Sequence, residues 1–383
     1  MAERAAFIHK ALNRRALAGQ LRSMAAADGR RDGWIETKEG PLLNLCGNDY
    51  LGLSQHPAVI RAGQQAYAQF GAGSTGSRLI TGTTTMHEQL ETEMASWIAR
   101  EAVLLFNSGY QMNATLIPAL TDKNALLFFD KLNHNSLLHG ARVSDAQLHR
   151  YRHADYSHLR SLLQKHARKD ATIIIVSETV FSMDGDIADL SELTALADQY
   201  NAILIIDEAH SLGLFGQGGR GLSYLNDRVD IVLGTFGKSF GTAGAFAACS
   251  AAMREYLINF CSGFIYSTAL PPPVVASTLA SVQLMETLQD ERSVLFETAA
   301  WFRNALIEAG FNVSGSRSQI VPALIGSEDQ TMHMAKQLKS EGYLVIPIRP
   351  PTVPAGSSRL RFTINSNLRT ESLKGVVECL KNR

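Results

Sequence analysis

A chain of 383 residues can bury a substantial core, either as one large α/β unit with an appendage or as two or three domain-sized units. With 45% hydrophobic residues, 19% charged residues and a formal net charge of zero, it reads as an ordinary soluble globular protein, neither disordered nor collagen-like. No Lys/Arg block reaches the density of a nucleic-acid tail, so no nucleic-acid partner is expected. The longest apolar runs, at 172–176 and 202–206, are strand-length and far short of a membrane span. The N-terminus also lacks a signal-peptide apolar core, which predicts a cytoplasmic location with no membrane partner. Cys46, Cys249, Cys261 and Cys379 are far apart, without metal or redox spacing, and predict reduced structural thiols.

In chain order, residues 2–27 carry an Ala/Leu/Arg helical pattern that Gly29 and Gly33 stop, predicting an N-terminal helix packed on a larger body. Residues 1–45 are taken as this N-terminal helical segment. From residue 87 the text alternates: a helix over 87–100, an apolar run at 103–106, a helix opening near Gly109 and a run at 126–129. Further runs follow at 172–176, 202–206, 231–233 and 245–249, with helical text such as 190–200 between several of them. Continuous Val/Ile/Leu runs separated by helices are what strands covered on both faces require, so the core is predicted as a mainly parallel, doubly wound α/β sheet over residues 46–273. Pro271, Pro272 and Pro273 break the pattern and a long helix follows. The remainder, 274–383, with a helix near 292–309 and strands near 321–325 and 359–364, reads as a smaller C-terminal α+β domain.

Two stretches spell a dinucleotide fingerprint, Gly71-Ala72-Gly73-Ser74-Thr75-Gly76 and Gly216-Gln217-Gly218-Gly219-Arg220-Gly221. Neither joins a strand to a helix start, so neither is read as one. Asp207-Glu208-Ala209-His210 spells a helicase motif, but that reading needs an upstream phosphate loop. Gly237-Lys238-Ser239 lies downstream and has Val232 where the first loop glycine belongs.

Three other features fall at carboxyl ends of predicted strands, where open α/β sheets place their ligands. Asn107-Ser108-Gly109-Tyr110 turns a strand into a helix, and its backbone N–H groups and helix dipole suit a phosphate. Asp207 directly follows Ile205-Ile206, with His210 one turn on; a carboxylate there could keep a ring nitrogen protonated as an electron sink. Gly234-Thr235-Phe236-Gly237-Lys238-Ser239-Phe240-Gly241 offers a lysine with enough backbone freedom to present its amine to an aldehyde. A lone loop lysine is usually a solvated charge, but the Asp–His–Lys set in this order reverses that expectation.

Here the sequence resembles the α-oxoamine synthases, a family of fold-type-I pyridoxal-phosphate enzymes, over nearly its whole length. The matching residues are Asn48-Asp49-Tyr50-Leu51-Gly52, Gly73 to Arg78 with Gly82-Thr83 and His87, Phe181-Ser182-Met183-Asp184-Gly185, Asp207 to His210, and Thr235 to Lys238. The resemblance implies that Lys238 forms the Schiff base with pyridoxal 5'-phosphate, Asp207 pairs with the pyridine nitrogen and His134 stacks on the ring. It places Ser182 and His210 at the ring hydroxyl, Gly109, Tyr110 and Thr235 at the phosphate, and Ser267 and Thr268 at the phosphate from the other subunit of a homodimer. Arg22, Asn48, Arg349 and Thr352 would bind substrate. Arg349 suits a carboxylate by its forked guanidinium, with prolines stiffening the backbone around it.

The segment from Ile348 to Gly356, followed by Arg359-Leu360-Arg361, is most similar to members that join L-alanine to a pimeloyl thioester with loss of carbon dioxide. Relatives using glycine with acetyl-CoA or other acyl thioesters are the alternative, and the carrier, coenzyme A or a protein, stays open. Outside this family, an aminotransferase or other fold-type-I lyase, and a non-catalytic protein on the same fold, are the competing classes.

Overall fold

The computed structural model describes residues 5–381. Its centre is a seven-stranded sheet in the spatial order Ala102–Phe106, Ala245–Cys249, Ile231–Thr235, Ile203–Asp207, Ile173–Glu178, Leu126–Asp130 and Gln147–Tyr151. Ala245–Cys249 runs antiparallel to both neighbours, so the other six strands share one direction. This is the mainly parallel, doubly wound arrangement that the apolar runs predict. Ile173–Glu178 and Leu126–Asp130 are buried at every position because helices cover both faces, which is why they read as continuous apolar text. Gln147–Tyr151 escapes sequence reading: it is one of the two edge strands, buried only at Tyr151, and its polar alternation resembles a loop.

One apolar cluster on one face of the sheet includes Phe128, Leu204, Ile206, Phe236 and Phe246. A second, including Phe106, Phe129, Ile205 and Leu233, lies on the other face. Helix Pro272–Leu284 buries Val275, Leu279 and Val282 in the first cluster and packs on helices Pro57–Phe70 and Thr85–Ile98. Although its residues follow the proline break, this helix therefore belongs by packing to the large body. Pro272 and Pro273 start it, where a missing N–H costs nothing.

The smaller unit has an antiparallel sheet, Ile320–Gly326, Ser358–Thr363 and Ile346–Ile348, with helices Gln289–Glu308, Glu328–Ser340 and Thr370–Lys381 around a separate core that includes Phe302, Leu338, Leu360 and Phe362. The amino-terminal reading needs correction. The helix expected over 2–27 runs only from Ala6 to Leu17 and buries none of its residues, so it does not pack on the body; residues 2–4 lie outside the described residues. Gly19 at φ 61 follows its end. Residues 29–44 are not helical: Gly29–Arg31, Trp34–Thr37 and Gly40–Asn44 form a small sheet completed in parallel by Tyr343–Leu344 of the smaller unit. The four cysteines are free. Among the described residues no helix is long and apolar enough to cross a membrane.

Candidate active site

Five of the co-directional strands end at one edge of the sheet, and each delivers a polar group there. Beyond Ala102–Phe106, Ser108 caps helix Gly109–Ala119 by accepting from the Gln111 N–H. Beyond Leu126–Asp130, His134 caps helix Asn135–Val143 through Nδ1. Glu178, Asp207 and Thr235 are themselves strand ends, and His210 and Lys238 follow within three residues.

His134, Glu178, Asp207, His210, Thr235 and Lys238 line a cavity of about 180 Å³ with Gly109, Tyr110, Asn113, Ser136 and Ala209. The structure thus brings together Lys238, Asp207, His210, His134, Gly109, Tyr110 and Thr235. The other sequence candidates lie outside the lining. Ser182 is half-buried, and its carbonyl accepts from Arg361 Nε. Ser267 is held by Gln111 of the same chain, and the Thr268 carbonyl accepts from Asn107 at 2.7 Å. Arg22 and Thr352 are exposed, and Arg349 donates to the Gly19 carbonyl at 2.9 Å.

Asp207 is buried, with one oxygen accepting from the Ala209 N–H at 2.9 Å and the other from Asn113 Nδ2 at 3.0 Å. Asn113 Nδ2 also donates to Ser136 Oγ at 3.0 Å, which leaves the Ser136 proton for His134 Nδ1 at 2.7 Å. His134 Nδ1 is therefore an acceptor, and its hydrogen sits on Nε2. The Tyr50 hydroxyl donates to Asn48 Oδ1 at 3.2 Å, so it receives Nδ1–H of His210 at 2.6 Å. That leaves the lone pair on His210 Nε2. Asn48 thus reaches the site through Tyr50.

Burial draws the Lys238 amine down to about 8, against the upward pull of Asp207 and Glu178. Burial and the charges of Lys238 and Arg361 hold His210 well below the usual imidazole range, so it is neutral. Burial, and then the Asp207 charge, push Glu178 well above the usual carboxylate range; its carboxyl accepts the His134 backbone N–H. Asn113, Ser136 and Glu178 line the cavity without standing out in the sequence, and Tyr50 and Arg361, which appear there only within matching segments and without a role, act on it through His210 and Lys238. Asn113 follows Gly109 by one helical turn and faces the same way, a signal legible once that helix is placed. Tyr50 and Arg361 lie far from the site in sequence and carry no such signal.

The space also fits a phosphorylated ring. A side chain at Gly109 would put its Cβ 3.8 Å from that of Thr235, in the gap between a helix N-terminus and a hydroxyl where an anion is favoured. Buried Asn113 Oδ1 has no partner. A low-lying lysine amine, a buried aspartate and two neutral histidines then surround the remaining volume.

This fold and this edge define the class: a fold-type-I transferase of the pyridoxal-phosphate kind. The chain belongs to the aminotransferase class I and II family, whose model matches residues 40–380. It is 43% identical over 352 residues to an 8-amino-7-oxononanoate synthase of Geotalea daltonii, covering 91% of this chain and 90% of that protein. It is 41% identical over 374 residues to that of Geobacter sulfurreducens, covering 96% and 95%. Among solved structures, a Sphingomonas wittichii serine palmitoyltransferase superposes with TM-score 0.93 at 29% identity, covering 100% of this chain and 97% of that one. A Francisella tularensis 8-amino-7-oxononanoate synthase gives 0.77 at 29%, covering 89% and 97%. A structure described as SPT with PLP superposes at 0.93 and 28% identity over 100% of this chain and 98% of that one.

Proposed function

We propose that this chain condenses L-alanine with a pimeloyl thioester, releasing carbon dioxide and the thiol carrier and giving 8-amino-7-oxononanoate, with pyridoxal 5'-phosphate as cofactor. The observation that carries it is the Lys238 amine, drawn to about 8, in one cavity with buried Asp207 at the carboxyl edge of the sheet. Relatives of this name, alike over more than nine-tenths of the chain, support the substrate choice. When bound, the cofactor supplies an electron sink for charge developing at the amino-acid Cα.

The chain's own residues supply the rest. Lys238 Nζ, partly neutral near physiological pH, would hold the cofactor through its amine and is placed to take and return the Cα proton. Asp207, held by Asn113 Nδ2 and the Ala209 N–H, would pair with the ring nitrogen. His134 presents an uncharged ring face, and His210 a lone pair on Nε2 to a ring hydroxyl. Gly109, Tyr110 and Thr235 make the phosphate seat. For the substrate carboxylate, Arg361 joins Arg349 as a candidate, because its charge acts directly on Lys238 and His210. We assign Arg22, Asn48 and Thr352 to the acyl side and Ser182 to the cofactor rim.

The active unit is proposed to be a homodimer. Ile80 and Tyr266 are apolar side chains 79% and 83% exposed, and a second copy covering them would supply its Ser267 and Thr268 to the phosphate. The test offers L-alanine with pimeloyl-, acetyl-, succinyl- and palmitoyl-CoA in competition and identifies products by mass spectrometry. A dominant alanine–pimeloyl product is expected. Another acyl chain winning would overturn the substrate, and a lasting amine form of the cofactor without thioester would turn the reading to an aminotransferase.

A further inference from the structure

Behind the cavity, a cluster of charged groups joins the turn that carries His134 to the turn that carries Ser182. His153 Nδ1 lies 2.9 Å from Asp130 Oδ1, and its Nε2 lies 2.9 Å from Asp186 Oδ2. Carboxylate oxygens only accept, so both ring nitrogens must carry hydrogen, and the ring is an imidazolium shared by two carboxylates. Burial opposes that charge, yet the bonds and charges of Asp130 and Asp186 carry His153 up to about 10.

Each aspartate also belongs to one of the two turns, Asp130 through its side chain and carbonyl and Asp186 through its backbone carbonyl. Asp130 ends its strand; its side chain accepts the Leu132 N–H at 2.8 Å and its carbonyl the Asn133 N–H at 3.2 Å, directing the chain to His134. Asp186 closes the other turn, its carbonyl accepting the Phe181 N–H at 3.1 Å, while the Phe181 ring meets His153 edge-on at 4.4 Å. The opposite side of this second turn is pressed on the smaller unit. A Cβ at Gly185 would stand 2.1 Å from the Ile320 carbonyl oxygen, Asp184 pairs with Arg359, and the Ser182 carbonyl anchors Arg361. Tyr151 and Tyr156 face the cluster from the adjoining strand and helix, both raised chiefly by burial and so uncharged, and Glu178 and Asp189 lie beyond them. Neither tyrosine competes with His153 for charge.

We propose that His153 is a positioning residue, an imidazolium bridge that locks the His134 turn to the Ser182–Asp186 turn and thereby sets the cofactor seat and the anchor of Arg361. This rests on the pyridoxal-phosphate reading. The test begins with the apo-protein labelled with 15N-histidine, at pH 8.5. A histidine with both ring nitrogens protonated is expected, lost in His153→Gln. Titration with pyridoxal phosphate then follows: His153→Gln and Asp186→Asn each weaken binding by about tenfold or more, as loss of a charge-assisted bond implies. His153→Arg, which keeps a cation between the carboxylates, recovers most of it.

A neutral ring at pH 8.5 would overturn the bridge. Variants that melt earlier yet bind pyridoxal phosphate within about twofold of wild type would overturn the positioning role, leaving His153 a purely structural residue. Should His153→Gln fail to fold, Asp186→Asn carries the same expectation. Wild-type protein that shows the bridged imidazolium but takes up no pyridoxal phosphate would sink the cofactor reading and this role with it.

Discussion

At the residue scale the site depends on protons placed by neighbours. Lys238 is the clearest case. A free lysine amine is almost wholly protonated at pH 8, whereas burial brings this one to about 8, so half is neutral there. The lowered value means that the nucleophilic form grows as pH rises from 7 and is nearly complete by about pH 9. The rate at which apo-protein takes up pyridoxal phosphate, followed by absorbance, is therefore expected to climb through pH 8 and level off. A climb that continues to the ordinary lysine value would mean that the amine is not desolvated as described. Lys238→Ala should abolish turnover and leave the cofactor exchangeable by dialysis.

At the element scale, two helices that open at the sheet edge must approach closely enough for Asn113 to reach both Asp207 and Ser136. Gly140 permits it. A Cβ there would stand 2.3 Å from the Asn113 carbonyl oxygen and 3.3 Å from Ala114 Cα, so helix Asn135–Val143 can rest on the backbone of helix Gly109–Ala119. Gly140→Ala gains up to ~1 kcal/mol in helix propensity, but overpacking against backbone costs about 1–3 kcal/mol. A net loss of stability in urea unfolding is expected, together with weaker cofactor binding, because His134 and Asn113 move apart. A variant as stable as wild type, with unchanged binding, would show that the contact relaxes without cost.

At the scale of the whole molecule, one chain leaves its site open. Tyr110 in the cavity lining is exposed, as are Ile80 and Tyr266, and the amino-terminal helix buries nothing, with Phe7 at 72% and Leu17 at 92% exposure. The proposed second copy would cover both. Sedimentation should give twice the mass of one chain, and Tyr266→Asp should shift the protein toward monomer and weaken cofactor binding together. A wild-type monomer of full activity would refute the shared site. The seam between large and small units runs through the turn from Phe181 to Asp186, where Arg359 pairs with Asp184 and Arg361 donates to the Ser182 carbonyl, tying that turn to the smaller unit.

What the sequence by itself determined was the regular part of the fold and the residues tied to it. Strands buried on both faces must be continuously apolar, and groups at their carboxyl ends must share an edge, so Gly109, Asp207, Thr235 and Lys238 were legible in chain order. His134 and the substrate class were legible only through resemblance, since a lone histidine in a polar turn carries no periodicity. Tertiary structure alone decided the rest. The edge strand Gln147–Tyr151 has one buried residue and so no apolar signature. The strands between Gly29 and Asn44 depend on Tyr343–Leu344, about 300 residues away, for their outer partner. Tyr50, Arg361 and the His153 bridge act across long sequence separations, where hydrogen bonds and charges join residues that no local pattern connects.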